Sequence, residues 1–115
     1  GLNPDLFWME DIDLCIRTKG LGYKNYFSPE TTIIHHQGKS SEKNLIITVS
    51  NQLLSKIKYF KIHHSTFEVF LLSVATIFIS ILKILFFLFI CPFSKKYRDK
   101  ILGYIIIVKS IIIKN

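Results

Sequence analysis

The order of apolar and polar positions divides this chain into a short mixed head and a long helical tail. From Phe67 to Cys91, charge occurs only at Glu68 and Lys83. About 20 apolar residues suffice to cross the hydrocarbon core of a bilayer, so this run predicts a membrane helix. Ser73, Thr76, Ser80 and Lys83 recur along it at 3-4-3 spacing and share one helical face. Such a small, polar stripe suits packing against another helix or tilting toward headgroups. The competing reading is a buried core helix, but little chain is at hand to cover one.

The flanking segments are helical in a different way. Leu45, Val49, Leu53, Ile57 and Phe60 fall at 4-4-4-3 spacing, with Lys56, Lys58 and Lys61 around them. This pattern predicts a basic amphipathic helix that lies on an anionic membrane or packs on a partner. Pro92 ends the long run, and residues 94–100 read as a basic loop. Ile101 to Ile113, interrupted by Lys109, is too short to span and suits an interfacial or partly inserted helix. Lys56, Lys58 and Lys61 precede the long run, whereas Lys95, Lys96, Arg98 and Lys100 follow it. A single span cannot keep both clusters in the cytosol, but a hairpin or helices lying in the interface can.

The head is patterned as an α/β piece. Gly1 to Pro4 is turn-like, and Leu6 to Met9 is a short extended run. A helix is expected from Asp11 to Lys19, with Asp13 and Arg17 as an i,i+4 pair and Gly20 as its stop. Tyr23 to Phe27 reads as a strand and Ser28-Pro29 as a turn. Thr31 to His36 is a β-branched run that reads as a second strand. The expected fold is therefore helix-strand-strand, followed by a mostly α-helical, membrane-associated tail. Its parts are residues 1–41, the linker and basic helix 42–66, and the apolar helices 67–115.

Charge follows the same division. Residues 1–38 carry five acids against three cations, a net of −2, and residues 39–115 carry twelve cations against three acids, a net of +9. An acidic head and a basic, apolar tail suggest chemistry in one part and a membrane surface for the other. The tail argues against nucleic acid as a partner. Arg98 is its one arginine, and its lysines are interleaved with Ile, Leu and Phe runs rather than with base-stacking loops. Cys15 and Cys91 sit in such different settings that neither a disulfide framework nor a metal knuckle is expected, and both read as buried apolar thiols. The chain begins at Gly1 and its one methionine is Met9, so it reads as the C-terminal piece of something longer.

The chemistry-bearing stretch is Phe7-Trp8-Met9-Glu10-Asp11-Ile12-Asp13-Leu14-Cys15-Ile16-Arg17. Glu10, Asp11 and Asp13 stand within four positions and repel one another. A plain helix start accounts for them in part, because the helix dipole favours acids in the first turn. The whole run from Gly1, read on through Gly22-Tyr23, Pro29 and His35, resembles the end of the catalytic domain of family two glycosyltransferases. The rhamnosyltransferase-like and galactofuranosyltransferase-like bacterial members are the most similar. The resemblance covers residues 1–41, about a third of the chain.

That resemblance implies a GT-A fold and inverting transfer of a sugar from a nucleotide-sugar donor to an acceptor hydroxyl. The acceptor is a glycan or a lipid-linked molecule, and the product belongs to cell-surface polysaccharide or glycolipid synthesis at the cytoplasmic face of the cell membrane. Asp11 matches the family's general base, a role in which a carboxylate takes the proton of the attacking hydroxyl. Glu10 and Asp13 would support it. His35 matches a histidine that ligates a divalent metal, Mn²⁺ or Mg²⁺, in some members; an imidazole favours Mn²⁺. His36 would point to the opposite face of a strand, and His63 and His64 read as interfacial.

The family's donor-side Asp-X-Asp cluster lies upstream of this motif, and no glycine-rich phosphate loop is present. The chain by itself is therefore expected neither to bind a nucleotide sugar nor to transfer one. Two other readings remain open. One is a small membrane-anchored binding or scaffold protein without catalytic activity. The other is a metal hydrolase using Asp11, Asp13 and His35 or His36, which lacks the compact His-Glu-x-x-His spacing.

Overall fold

The computed structural model describes residues 1–32, 34, 44–90 and 94–113. It contains four helices, α1 (Glu10–Gly20), α2 (Leu45–His63), α3 (Thr66–Ile90) and α4 (Lys95–Ile113). The helix ends follow from local chemistry. Gly22 adopts φ 86° after the last turn of α1. This lets Gly22 N donate to Lys19 O and Tyr23 N to Thr18 O, the paired bonds that satisfy the final carbonyls. Asn44 caps α2 by accepting the Ile47 amide. At the start of α3, Glu68 Oε2 accepts from Ser65 N at 2.9 Å and Ser65 Oγ accepts from Glu68 N at 3.3 Å. This reciprocal box satisfies two otherwise orphaned donors and sets the sharp α2–α3 corner.

Helices α2, α3 and α4 pack as a bundle. Ile57, Tyr104, Ile107 and Ile111 form its core, with Val49, Leu53, Leu72 and Phe87 packed against them. Gly103 lies against Val49 near the start of α2, while Ile57 and Ile111 meet one helical stretch further on. Thus α2 and α4 run in the same direction, and α3 returns between them. The small stripe of α3 faces inward: Ser73, Thr76 and Ser80 are buried, as the sequence spacing predicts. Most of its large apolar side chains face outward. Helix α3 is long and apolar enough to cross a membrane, and 17 % of its most apolar stretch is buried within the molecule. A core helix of a soluble domain would be largely covered.

Three expectations are corrected here. The α/β helix-strand-strand head, the edge of a GT-A domain, is overturned: the described residues contain four helices and no strand. Residues 23–28 form no regular element, and Tyr23, Tyr26 and Phe27 are exposed. A strand needs a neighbour to take its backbone N–H and C=O groups, and the described residues offer none. Asn25 instead folds back on α1, where Nδ2 donates to Cys15 O at 3.0 Å and Oδ1 accepts from Thr18 Oγ1 at 3.1 Å. Much of the expected second strand, including His35 and His36, lies outside the described residues, as does Cys91.

Secondly, Lys95 to Lys100 is not a loop but the first turns of α4. Lys100 Nζ lies over the rings of Phe87 and Tyr97, at 5.2 and 5.7 Å from their centroids. The basic residues thereby cover aromatic surface instead of breaking the helix. Helix α4 is also not interfacial on all sides, since Ile101, Gly103, Tyr104, Ile107 and Ile111 are buried in the bundle. Thirdly, Cys15 is exposed rather than buried, because α1 turns only its Asp13 side onto the bundle.

Candidate functional site

The three acids of the head open α1, and one turn of helix separates their fates. Asp13 is buried, at 1 % relative exposure. Its Oδ2 accepts from Arg17 Nε at 2.8 Å, the expected i,i+4 pair. Its Oδ1 lies 2.8 Å from His63 Nε2 at the end of α2. An ionised carboxylate only accepts, so the imidazole donates. This hydrogen bond, opposed by burial and reinforced by Arg17, holds Asp13 below the usual carboxylate range.

Other bonds tie the head along the same helix. Phe7 N donates to Ser55 Oγ at 3.1 Å, Lys58 Nζ donates to Asp5 O at 3.1 Å, and Leu6 is buried. Arg17 also donates through Nη2 to Gly1 O at 2.7 Å, which closes the head's first residues onto α1. Ser55, Lys58 and His63 are spaced three and five apart along α2 and together make a polar landing strip for the head.

Asp11 is placed differently. It is exposed on the outer side of α1, and Oδ1 accepts the Ile12 amide at 2.8 Å. Glu10 sits between these two states: its Oε2 is enclosed yet has no hydrogen-bond partner among the described residues. An enclosed, unpaired carboxylate oxygen is costly unless some donor reaches it. The Phe7 and Trp8 rings meet edge to face at 5.8 Å beside this turn. The structure thus brings Glu10, Asp11 and Asp13 to one helix start, as the sequence requires, but divides their labour. Asp13 is spent on holding the head, whereas Asp11 and Glu10 are left to the surroundings.

No family model, curated protein or solved structure matches the chain.

For a divalent cation the described residues are a poor fit. Both oxygens of Asp13 are committed to Arg17 and His63, and no three His, Cys, Asp or Glu side chains gather among the described residues. The expected ligand His35 lies outside them.

Sequence reasoning missed His63. It read as interfacial because the basic amphipathic pattern of α2 dominates its surroundings, and a contact across 50 residues leaves no trace in local periodicity. One signal was available: His63 lies eight residues after Ser55, on the polar strip that the apolar 4-4-4-3 pattern leaves open. The Tyr59 ring, buried and 4.8 Å from His63, packs the imidazole in place.

Proposed function

We propose that this chain is the membrane-associated part of an inverting glycosyltransferase, with Asp11 as the general base. The sugar comes from a nucleotide-sugar donor, and the acceptor is a glycan or lipid-linked hydroxyl at the cytoplasmic face of the cell membrane. In the reaction the acceptor oxygen bonds to the anomeric carbon. The bond from that carbon to the departing nucleotide diphosphate breaks, and the hydroxyl proton passes to the Asp11 carboxylate.

One observation carries the reading beyond the sequence resemblance. Of the three clustered acids, the one matched to the base is exposed, while its neighbour Asp13 anchors the head. A base must reach substrate, and a clamp two residues along the helix fixes the turn that carries it. The clamp also ends on α2, which continues directly into the apolar α3.

The helical architecture, with no nucleotide-binding sheet among the described residues, favours a second reading as a membrane-anchored scaffold. One experiment separates the two. In the complete protein encoded by the reading frame that contains this chain, Asp11→Asn should abolish sugar transfer and leave nucleotide-sugar binding intact. Retained turnover sinks the base assignment, and absence of any transfer by the unaltered protein favours the scaffold.

A further inference from the structure

A cavity of about 480 Å³ opens between the head and the bundle, and neither Asp11 nor Asp13 is among its described lining residues. Trp8 and Met9 of the head form one wall. Val49, Gln52, Leu53 and Lys56 of α2, Lys83 of α3 and Tyr104 of α4 complete it. Among the described residues its lining has two cations and no acid. Lys56 is exposed and has no partner among the described residues. Lys83 is one of two charges in the otherwise apolar α3 and lies 5.2 Å from the Tyr104 ring centroid. That contact holds its ammonium at the cavity rather than out in the apolar surroundings. A charge so placed in a membrane helix is costly and marks a binding function by default.

From this geometry we infer that the cavity binds the phosphate headgroup of an anionic membrane phospholipid. Lys56 and Lys83 supply the ammonium donors for the phosphate oxygens. Gln52 and the Tyr104 hydroxyl supply neutral hydrogen bonds, and Val49 and Leu53 provide apolar wall for the start of the acyl chains. The position along α3 agrees. Lys83 lies seven residues before the end of the helix at Ile90, or roughly 10 Å at 1.5 Å per residue. A lysine stem reaches the headgroup layer from that depth. A lipid is favoured over a soluble anion because the cavity adjoins the exposed apolar surface of α3, which only lipid tails cover without cost. The inference rests on the reading of α3 as a bilayer helix, and is independent of the role of Asp11.

Trp8 is the one tryptophan of the chain and lines the cavity, so it reports on the occupant directly. The full chain is reconstituted in phosphatidylcholine nanodiscs that contain a small, equal fraction of either headgroup-spin-labelled phosphatidylglycerol or the corresponding labelled phosphatidylcholine. The labelled phosphatidylglycerol should quench Trp8 more strongly. Lys56→Ala and Lys83→Ala should each lower that preference roughly fivefold, the effect of one cation at a membrane surface, and Lys56→Arg should keep it. Lys95→Ala with Lys96→Ala removes equal charge outside the cavity and should leave the preference in place. Equal quenching by the two lipids, or loss of preference through Lys95 and Lys96 alone, overturns the site. So does loss of the preference on adding inorganic phosphate at constant ionic strength, which would mark a soluble-anion site. Failure of the chain to enter discs of any composition overturns the bilayer reading of α3 instead, and is distinguished by co-elution alone.

Discussion

The head and the bundle of this chain are held by opposite kinds of force. The bundle is apolar inside: Ile107 is fully buried between α2 and α3, and Ile57, Tyr104 and Ile111 surround it. The head has almost no interior. Leu6 is the one buried apolar side chain among its described residues, and what fixes it is a set of directed polar bonds to Ser55, Lys58 and His63. Apolar packing is insensitive to pH and tolerant of small rotations. A carboxylate clamp is sensitive to both, but it positions a side chain to within a hydrogen bond. The bundle is thus fixed by buried area and the head by a few placed polar groups.

The largest effect should come from Ile107→Ala. Removing three carbons from a site at 0 % exposure leaves a cavity that flanking helices fill only in part, at a cost of about 2–4 kcal/mol. Thermal unfolding followed by circular dichroism should show a lowered midpoint. An unchanged midpoint would mean that the bundle interior is not the seat of stability. The head's bonds to α2 should fail at the same temperature, because the landing strip melts with the bundle.

Asp13→Asn should have the converse outcome. The bundle should melt as before, but trypsin should cut at Arg17, Lys19 and Lys24 several-fold faster. His63→Gln should do the same, and the two changes together should add little to either, since they break one interaction. Acid should mimic them. The folded pKa of Asp13 lies below its unfolded one, chiefly through His63. The clamp therefore contributes fully above the ordinary aspartate range and is lost as pH falls through the lowered value. Protease sensitivity of the head should rise there before the helical signal falls. Simultaneous loss of both would mean that head and bundle are one cooperative unit.

The same contrast explains how much of the molecule could be read from its residues. The apolar run of α3, the 4-4-4-3 stripe of α2, the inward stripe of Ser73, Thr76 and Ser80, and the Asp13–Arg17 pair are all local periodicities, and each is found in place. The strand expected at Tyr23–Phe27 was a local reading that depended on a distant partner, and propensity without a partner makes no strand. Lys95 to Lys100 read as a loop because their charges mask the aromatic surfaces they cover. The acids' division of labour was illegible for a related reason. Nothing near Asp13 in sequence announces that His63 and a tyrosine ring wait for it on another helix.

The smallest effect, and the sharpest test of the comparison, concerns two glycines kept for different reasons. Gly22 has φ 86° and nothing within 4 Å of where a Cβ would stand. Its constraint is conformational alone. Gly22→Ala should cost about 1 kcal/mol by forcing an L-residue into the left-handed region. Gly22→Asn should recover most of that, because asparagine tolerates the same backbone. Gly103 has ordinary helical backbone, but an added Cβ would stand 3.1 Å from Val49 Cβ and Cγ1 and 3.2 Å from Ile46 O. Its constraint is the approach of α4 to α2. Gly103→Asn should therefore gain nothing over Gly103→Ala, and Val49→Ala, which removes Cγ1 but keeps Cβ, should relieve Gly103→Ala in part while leaving Gly22→Ala untouched. Trypsin cleavage at Lys19 and Lys24 reads the Gly22 variants and thermal melting of the bundle reads the Gly103 variants, each alanine variant being measured with and without Val49→Ala. Rescue by asparagine at both sites, or by Val49→Ala at both, would show that head and bundle obey one rule.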